Sequence, residues 1–352
     1  MQVNPEMITV ARESRGLTQS ELAQKLGVSQ GKISKQEARL LEVTPDQLSS
    51  LAKVLDYTEE LFYQNDPIFG LGPFVFFRSR KSLTVTNRRK IEARANILRM
   101  RFKRLQKAVD IESPNHFPRL DDDAYQGGPP EVARRLRQHW SIPTGPINNV
   151  VALIESAGGM TFRLPFGIPG VDAVVQCPSG YPPLFLMNGD VTAGERMRLT
   201  LAHEIGHAVM RNSLSPDPEK EANDFAAEFL MPESEIGPYL YDLTIPKAIT
   251  LKPYWKVSLR ALVYRAHSLG RIDHRKYRYL IMTINAKYGF DEPEPVPIEK
   301  PSLAHEIIEL HLNHMNYTFN DLATITFFTS AEKFRTVLYG STAGGAGLKI
   351  VG

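Results

Sequence analysis

The chain has 352 residues, 42% of them hydrophobic and 23% charged, with a formal net charge of +3. That length predicts two domains or more, the composition is that of a folded globular protein, and so small a net charge excludes a whole-chain attraction to nucleic acid, leaving only local patches to carry one. A single cysteine, Cys177, excludes an internal disulfide framework; no apolar run reaches the roughly 18 residues of a membrane helix, and the first residues do not read as a signal peptide, so a cytoplasmic protein with no membrane partner is expected.

Residues 1–65 read as a small all-α domain. Pro5 to Arg15 is a predicted helix with Ile8, Val10 and Ala11 apolar, and Gly16 ends it. Thr18 with Glu21 three residues later forms a capping box for a second helix. Leu22, Ala23 and Leu26 form its inner face, and Gly27 makes the following turn. Ser29 caps a third helix, Gln30 to Glu37; a fourth covers Pro45 to Leu55 and a short fifth Thr58 to Phe62.

Thr-Gln-x-x-Leu-Ala, six residues, then Ile-Ser-x-x-Glu resembles the XRE-type helix-turn-helix of phage-repressor-like proteins. The resemblance implies that the third helix enters the major groove of a double-stranded DNA operator. Gln30, Lys32, Ser34 and Lys35 would reach base edges or phosphates, and Ser29 caps that helix. Gln19 would anchor to backbone or to a neighbouring recognition side chain. Two features depart from the pattern. Residues 1–65 hold 7 Lys+Arg against 9 Asp+Glu, and Arg39 stands where the family has Gly. A helical module used for protein contacts is the competing reading. Related repressors pair on two-fold operators, which by analogy implies a homodimer.

Residues 66–126 read as a linker and a basic helical region. Gln64 to Pro73 carries Gly and Pro, and residues 78–107 hold 12 Lys+Arg with one acid, Glu92. Ile91, Ala95, Leu98 and Phe102 give that stretch an apolar face. Its charge could neutralise phosphates or form the solvated face of a packing helix. The acidic, Gly/Pro-bearing stretch Asp121 to Pro130 closes the region.

Residues 127–290 carry the chemistry. Helices at Glu131 to Trp140 and Ile147 to Ala157 precede short strands at Met160 to Leu164, Val171 to Gln176 and Pro183 to Met187. Then comes His203-Glu204-Ile205-Gly206-His207. Positions i and i+4 share a helix face, so both imidazoles can reach one ion while Glu204 addresses a water bound to it. Such a site needs a third protein ligand and an open position. A second helix, Glu219 to Met231 and closed by Pro232, offers acids. Glu221, one turn before Phe225 near the edge of the apolar stripe, is one candidate; Glu219, Asp224 and Glu228 compete with it.

Arg196 to His207, followed by Glu219 to Pro232, resembles the ImmA/IrrE family of metallopeptidases. The likeness extends to residues 140–147 upstream, and downstream to 255–258, Ala261-Leu262 and Arg265-Ala266. It implies His203, His207 and Glu221 as metal ligands, with Glu219 next in rank, and Glu204 as catalytic base. Two imidazoles and a carboxylate favour Zn2+, one per chain, with Mn2+ or Fe2+ the alternatives. An oxyanion stabiliser is sought among Tyr239, Tyr241, His267 and His274.

Residues 291–352 read as a Pro/Glu-rich linker (Asp291 to Pro301), a helical region of unassigned purpose and a Gly-rich tail from Ser341. The expected fold class is α+β: an all-α helix-turn-helix domain, a zincin-like metallopeptidase domain with a small sheet, and a helical C-terminal region. The expected function is a DNA-binding regulator joined to a zinc endopeptidase that cuts a repressor-type protein. The substrate would be a partner or the chain itself, at Gln64 to Pro73 or near Asp121. A metal- or ligand-sensing regulator without turnover, or an antitoxin beside a toxin, is the alternative.

Overall fold

The computed structural model describes residues 2–71, 83–109, 113–120, 127–210, 216–289 and 291–339. The remaining parts of the Gln64 to Pro73 and Asp121 to Pro130 stretches, and the tail from Ser341, lie outside them.

The N-terminal helices are α1 (Pro5–Ser14), α2 (Gln19–Leu26), α3 (Gln30–Glu37) and α4 (Pro45–Leu55). Each boundary has a local cause. Thr18 and Glu21 close a capping box on α2, Gly27 ends it in the left-handed region, and the Ser29 side chain accepts from Lys32 N. The fifth segment is a 3-10 helix, Glu59–Tyr63, rather than an α-helix. Arg39 has φ 61°, so the turn after α3 keeps the left-handed geometry that a glycine would serve.

Helix α5 (Val85–Gln106) is the spine of the molecule. Its Ala93, Ile97 and Met100 join the apolar core of the N-terminal helices. On another face, Ile91, Ala95, Leu98, Phe102 and Leu105 join a second core built on the sheet. Two apolar faces on one helix place it between two packed bodies.

The next elements are α6 (Gly128–His139), α7 (Val150–Ser156), β1 (Met160–Leu164), β2 (Ala173–Gln176) and β3 (Leu184–Asn188). The sheet has order β1-β3-β2, with β1 parallel and β2 antiparallel to β3. Alternate residues point to opposite faces. Phe185 and Met187 enter the core shared with α8 (Gly194–Val209) and α9 (Pro218–Leu230), whereas Leu184 and Leu186 enter the core shared with α5. Downstream lie α10 (Glu233–Ile236), α11 (Ile245–Trp255), α12 (Leu259–Ser268) and α13 (His274–Tyr288). The C-terminal helices α14 (Leu303–His314), α15 (Phe319–Ile325) and α16 (Ala331–Phe334) cover the α5 side of the sheet. No helix among the described residues is long and apolar enough to cross a membrane.

Three stretches read from sequence as linkers or solvated charge behave otherwise. Residues 64–71 are fastened to α5: Phe69 exchanges hydrogen bonds with the Asn96 side chain at 2.9 and 2.8 Å, and Asp66 pairs with Lys103 and Arg104 at 3.0 and 2.8 Å. An exposed self-cleavage site there is not supported, because a scissile segment must be free to extend. Residues 291–301 form a strap. Gly194 N donates to Val296 O at 3.1 Å, and a Cβ on Gly194 would lie 2.3 Å from that oxygen, so only glycine admits the strap at this point. Glu299 accepts from Val150 N and Val151 N at the start of α7 and pairs with buried Arg198. On α5, Arg99 and Arg101 are buried; burial lowers both guanidinium pKa values to about 10. Arg99 donates to Gln176 and to Pro182 O, and Arg101 donates to Thr326 O and lies over the Phe328 ring. Much of the basic run is therefore internal wiring.

Candidate metal centre and helix-turn-helix

Helices α8 and α9 pack antiparallel, and a single glycine sets how closely. A Cβ on Gly206 would lie 3.0 Å from Phe225 Cδ1 and 3.5 Å from Ala222 Cα. The middle residues of the His-Glu-x-x-His run are thus structural: Ile205 fills the core and Gly206 lets α9 approach.

Across this contact His203, His207 and Glu219 converge, and their ligand atoms all lie within 4.8 Å of one another. Nε2 of His203 and Nε2 of His207 face each other at 3.0 Å. The Glu219 carboxylate lies 3.4 Å from the first and 3.3 Å from the second. Two imidazole nitrogens and a carboxylate with one open side form the donor set of a catalytic zinc site, so these residues fit the ion implied by the motif. His203 is 1% exposed, and burial holds its pKa below the ordinary imidazole value, favouring the neutral form a metal requires. Burial alone would raise the Glu219 carboxyl, but its close contacts with the His203 and His207 rings outweigh it and lower the pKa to about 2.

Asn223 supplies the outer contact. Its Oδ1 lies 3.1 Å from His203 Nδ1. An amide oxygen only accepts, so this contact favours the tautomer with its proton on Nδ1, which would leave the Nε2 lone pair for an ion. Sequence reasoning passed over Asn223, although its i+4 spacing from Glu219 was a usable signal.

The group contains Glu219 and not Glu221, which the sequence reading preferred. The reason is rotational. At 3.6 residues per turn, Glu221 lies roughly 200° around α9 from Glu219, while Asn223 lies within roughly 40° of it. Glu228, another competitor, is 1% exposed and is committed elsewhere: it pairs with Arg134 at 3.0 Å and with Arg265, tying α6 and α12 to α9. Asp224 pairs with Lys220 at 2.9 Å. Glu204 is fully buried on the same turn of α8 as the two histidines.

A cleft of about 1300 Å³ opens beside this centre, with Thr200 and Asn223 in its wall next to the ligand helices. Ion pairs brace its walls. Asp172 holds Arg196 in a bidentate pair, and Lys252 lies between Glu195 and Glu292 at 2.5 and 3.3 Å. Tyr264 and Tyr277 also line it. Burial, then the Asp224 carboxylate, pushes the Tyr264 phenol above its usual pKa, so its hydroxyl stays a proton donor. The four oxyanion candidates from sequence lie elsewhere. Tyr239 and Tyr241 are more than half exposed, Tyr241 accepting from Arg271 at 2.6 Å, and His267 and His274 stack around Tyr277. Tyr264 does not stand out in the sequence because the cleft it lines forms only when α12 meets α9.

In the N-terminal domain Gln30 and Lys35 are exposed, Lys32 and Ser34 half-buried on α3, and Ser29 is its N-cap. Gln30 Nε2 donates to Gln19 Oε1 at 2.8 Å, and Gln19 Nε2 donates to Glu37 Oε2 at 2.8 Å. Glu37 is held in turn by Arg12 at 2.6 Å. Gln19 thus fixes the side chain that opens α3.

Residues 10–62 match the helix-turn-helix family model, and residues 155–267 match the peptidase M78 model, described as the IrrE N-terminal-like domain. No curated protein matches the chain.

Proposed function

We propose that this chain, an XRE-type helix-turn-helix domain joined to an IrrE/ImmA-like peptidase domain, is a DNA-binding regulator whose peptidase half hydrolyses a peptide bond in a repressor-type protein. The observation that carries the reading is the convergence of His203, His207 and Glu219 beside a cleft large enough for an extended polypeptide segment.

Zn2+ would be held by His203 Nε2, His207 Nε2 and the Glu219 carboxylate. When bound, such an ion supplies Lewis acidity that activates water and polarises a carbonyl. Asn223 keeps His203 in its metal-binding tautomer. The Glu204 carboxylate takes a proton from the attacking water and delivers it to the leaving amine nitrogen. Tyr264 donates a hydrogen bond to the developing oxyanion. The pairs Asp172–Arg196 and Lys252–Glu292 keep the cleft walls in place while the substrate strand lies between them.

The test is incubation of zinc-loaded protein with candidate repressors and with itself, beside a Glu204→Gln control. Fragments that disappear in the control support hydrolysis. No fragment from any partner, with equal results for both proteins, contradicts it.

A second reading, a sensor without turnover, is favoured by one observation. Arg94 on α5 donates both to Ser14 O at the end of α1 and to Pro165 O beside the cleft rim, at 3.2 and 3.1 Å. A change at the cleft therefore has a direct route to the DNA-binding domain. DNA affinity that shifts on metal removal, in protein that cleaves nothing, supports this reading over the first.

A further inference from the structure

The helix-turn-helix domain lacks the positive charge its proposed partner requires: residues 1–65 carry 7 basic side chains and 9 acidic ones. DNA binding without base contacts rests on phosphate neutralisation, so the missing charge must come from a neighbouring element.

Helix α5 is the neighbour, and its cations are not equally engaged. Toward its C-terminal half, Arg94, Arg99, Arg101, Lys103 and Arg104 are committed to carbonyls and carboxylates of this chain. In the second turn the pattern changes. The Arg89 guanidinium is 60% exposed and reaches only the rim of Glu13, at 3.7 Å. Lys90 makes no ion pair among the described residues, and its stem lies against Gly16, where a Cβ would sit 3.2 Å from Lys90 Cδ. Gly16 is the turn that leads into Thr18 and Gln19, and Gln19 holds Gln30 at the start of α3. The end of a recognition helix that meets the base edges is its N-terminal end. Arg89 and Lys90 therefore stand beside the edge of the domain that would face the duplex.

We propose that Arg89 and Lys90, in the second turn of α5, contact DNA backbone phosphates flanking the site read by α3. The proposal rests on the DNA-binding reading above. Burial and the neighbouring Arg94 both disfavour charge on Lys90, so an approaching anion would relieve an existing repulsion. Because α5 packs on both the N-terminal core and the sheet core, a segment outside residues 1–65 then supplies part of the DNA-binding surface.

The experiment is a salt titration of binding to a random-sequence 30-base-pair duplex by fluorescence anisotropy, using the full chain. Each phosphate contact contributes about 0.9 to the slope of log K against log salt. Arg89→Ala and Lys90→Ala should each lower the slope by about that amount, the double variant by about twice as much, with affinity near physiological salt falling about tenfold or more. The exchanges Arg89→Lys and Lys90→Arg should restore the slope, and Lys103→Ala, on the far part of α5, should leave it unchanged. Melting temperatures of all variants check the fold. A double variant with wild-type slope and affinity, while Lys32→Ala and Lys35→Ala weaken binding, overturns this proposal alone. A wild-type chain that binds no duplex at any salt overturns it together with the DNA-binding reading.

Discussion

Asn223 Oδ1 and His203 Nδ1 meet at 3.1 Å, on the side of the imidazole opposite the nitrogen that faces His207 and Glu219. One helical turn of α9 therefore supplies both a proposed ligand and the group that orients its neighbour. Loss of such an outer contact typically costs 10–100-fold in metal affinity. Asn223→Ala should weaken zinc binding by about that factor in a chelator competition, and Asn223→Asp should recover most of it.

Tyr264 gives a kinetic prediction. If its hydroxyl stabilises the developing oxyanion, Tyr264→Phe lowers kcat on a cleaved substrate by about 10²–10³. Zinc content and KM should stay near wild type, since the ring still lines the cleft. A loss confined to KM would assign Tyr264 to substrate binding instead.

The Glu228 carboxylate, paired with Arg134 and Arg265 and 2% exposed in its side chain, gives a stability prediction. Breaking a buried pair by removing one partner costs about 3–5 kcal/mol, because the other charge stays buried. Arg134 still pairs with Glu228 after Arg265→Ala, so the loss of unfolding free energy in urea should lie toward the lower end of that range. The substitution should also lower zinc affinity indirectly, since α9 is held to α6 and α12 through Glu228.

Asp66 sets a pH dependence. Burial pushes its carboxyl up, but hydrogen bonds from Arg104 and Lys103 outweigh this and hold it below the ordinary aspartate value. A depressed carboxyl stabilises the fold fully above its unfolded pKa, near 3.9, and that contribution fades as pH falls through the lower folded value. Asp66→Asn should therefore cost about 1 kcal/mol at pH 7 and little near pH 2, measured by urea unfolding at both.

What was legible in the sequence was local. The capping box of Thr18 and Glu21, the Gly27 turn and the three strands depend on neighbours in the chain, and they fold close to where the pattern puts them. The pairing of His203 with His207 follows from helical spacing alone. Glu219 over Glu221 was not legible, because the rotation of α9 is set by Phe225 and Ala222 seating on Gly206. The use of α5 was hidden for a similar reason. Its charges show in the sequence, but the partners of Arg99 and Arg101 lie 77 and 225 residues away. The C-terminal helices had no visible purpose until the sheet offered them a second apolar face.

The most direct measurement is zinc content per chain, after dialysis, of the wild type, Glu219→Gln and Glu221→Gln. Two imidazoles alone leave a site one protein ligand short. A Glu219 ligand predicts about one zinc in the wild type, almost none in Glu219→Gln and about one in Glu221→Gln. Full occupancy in Glu219→Gln, with zinc lost from Glu221→Gln, would contradict it.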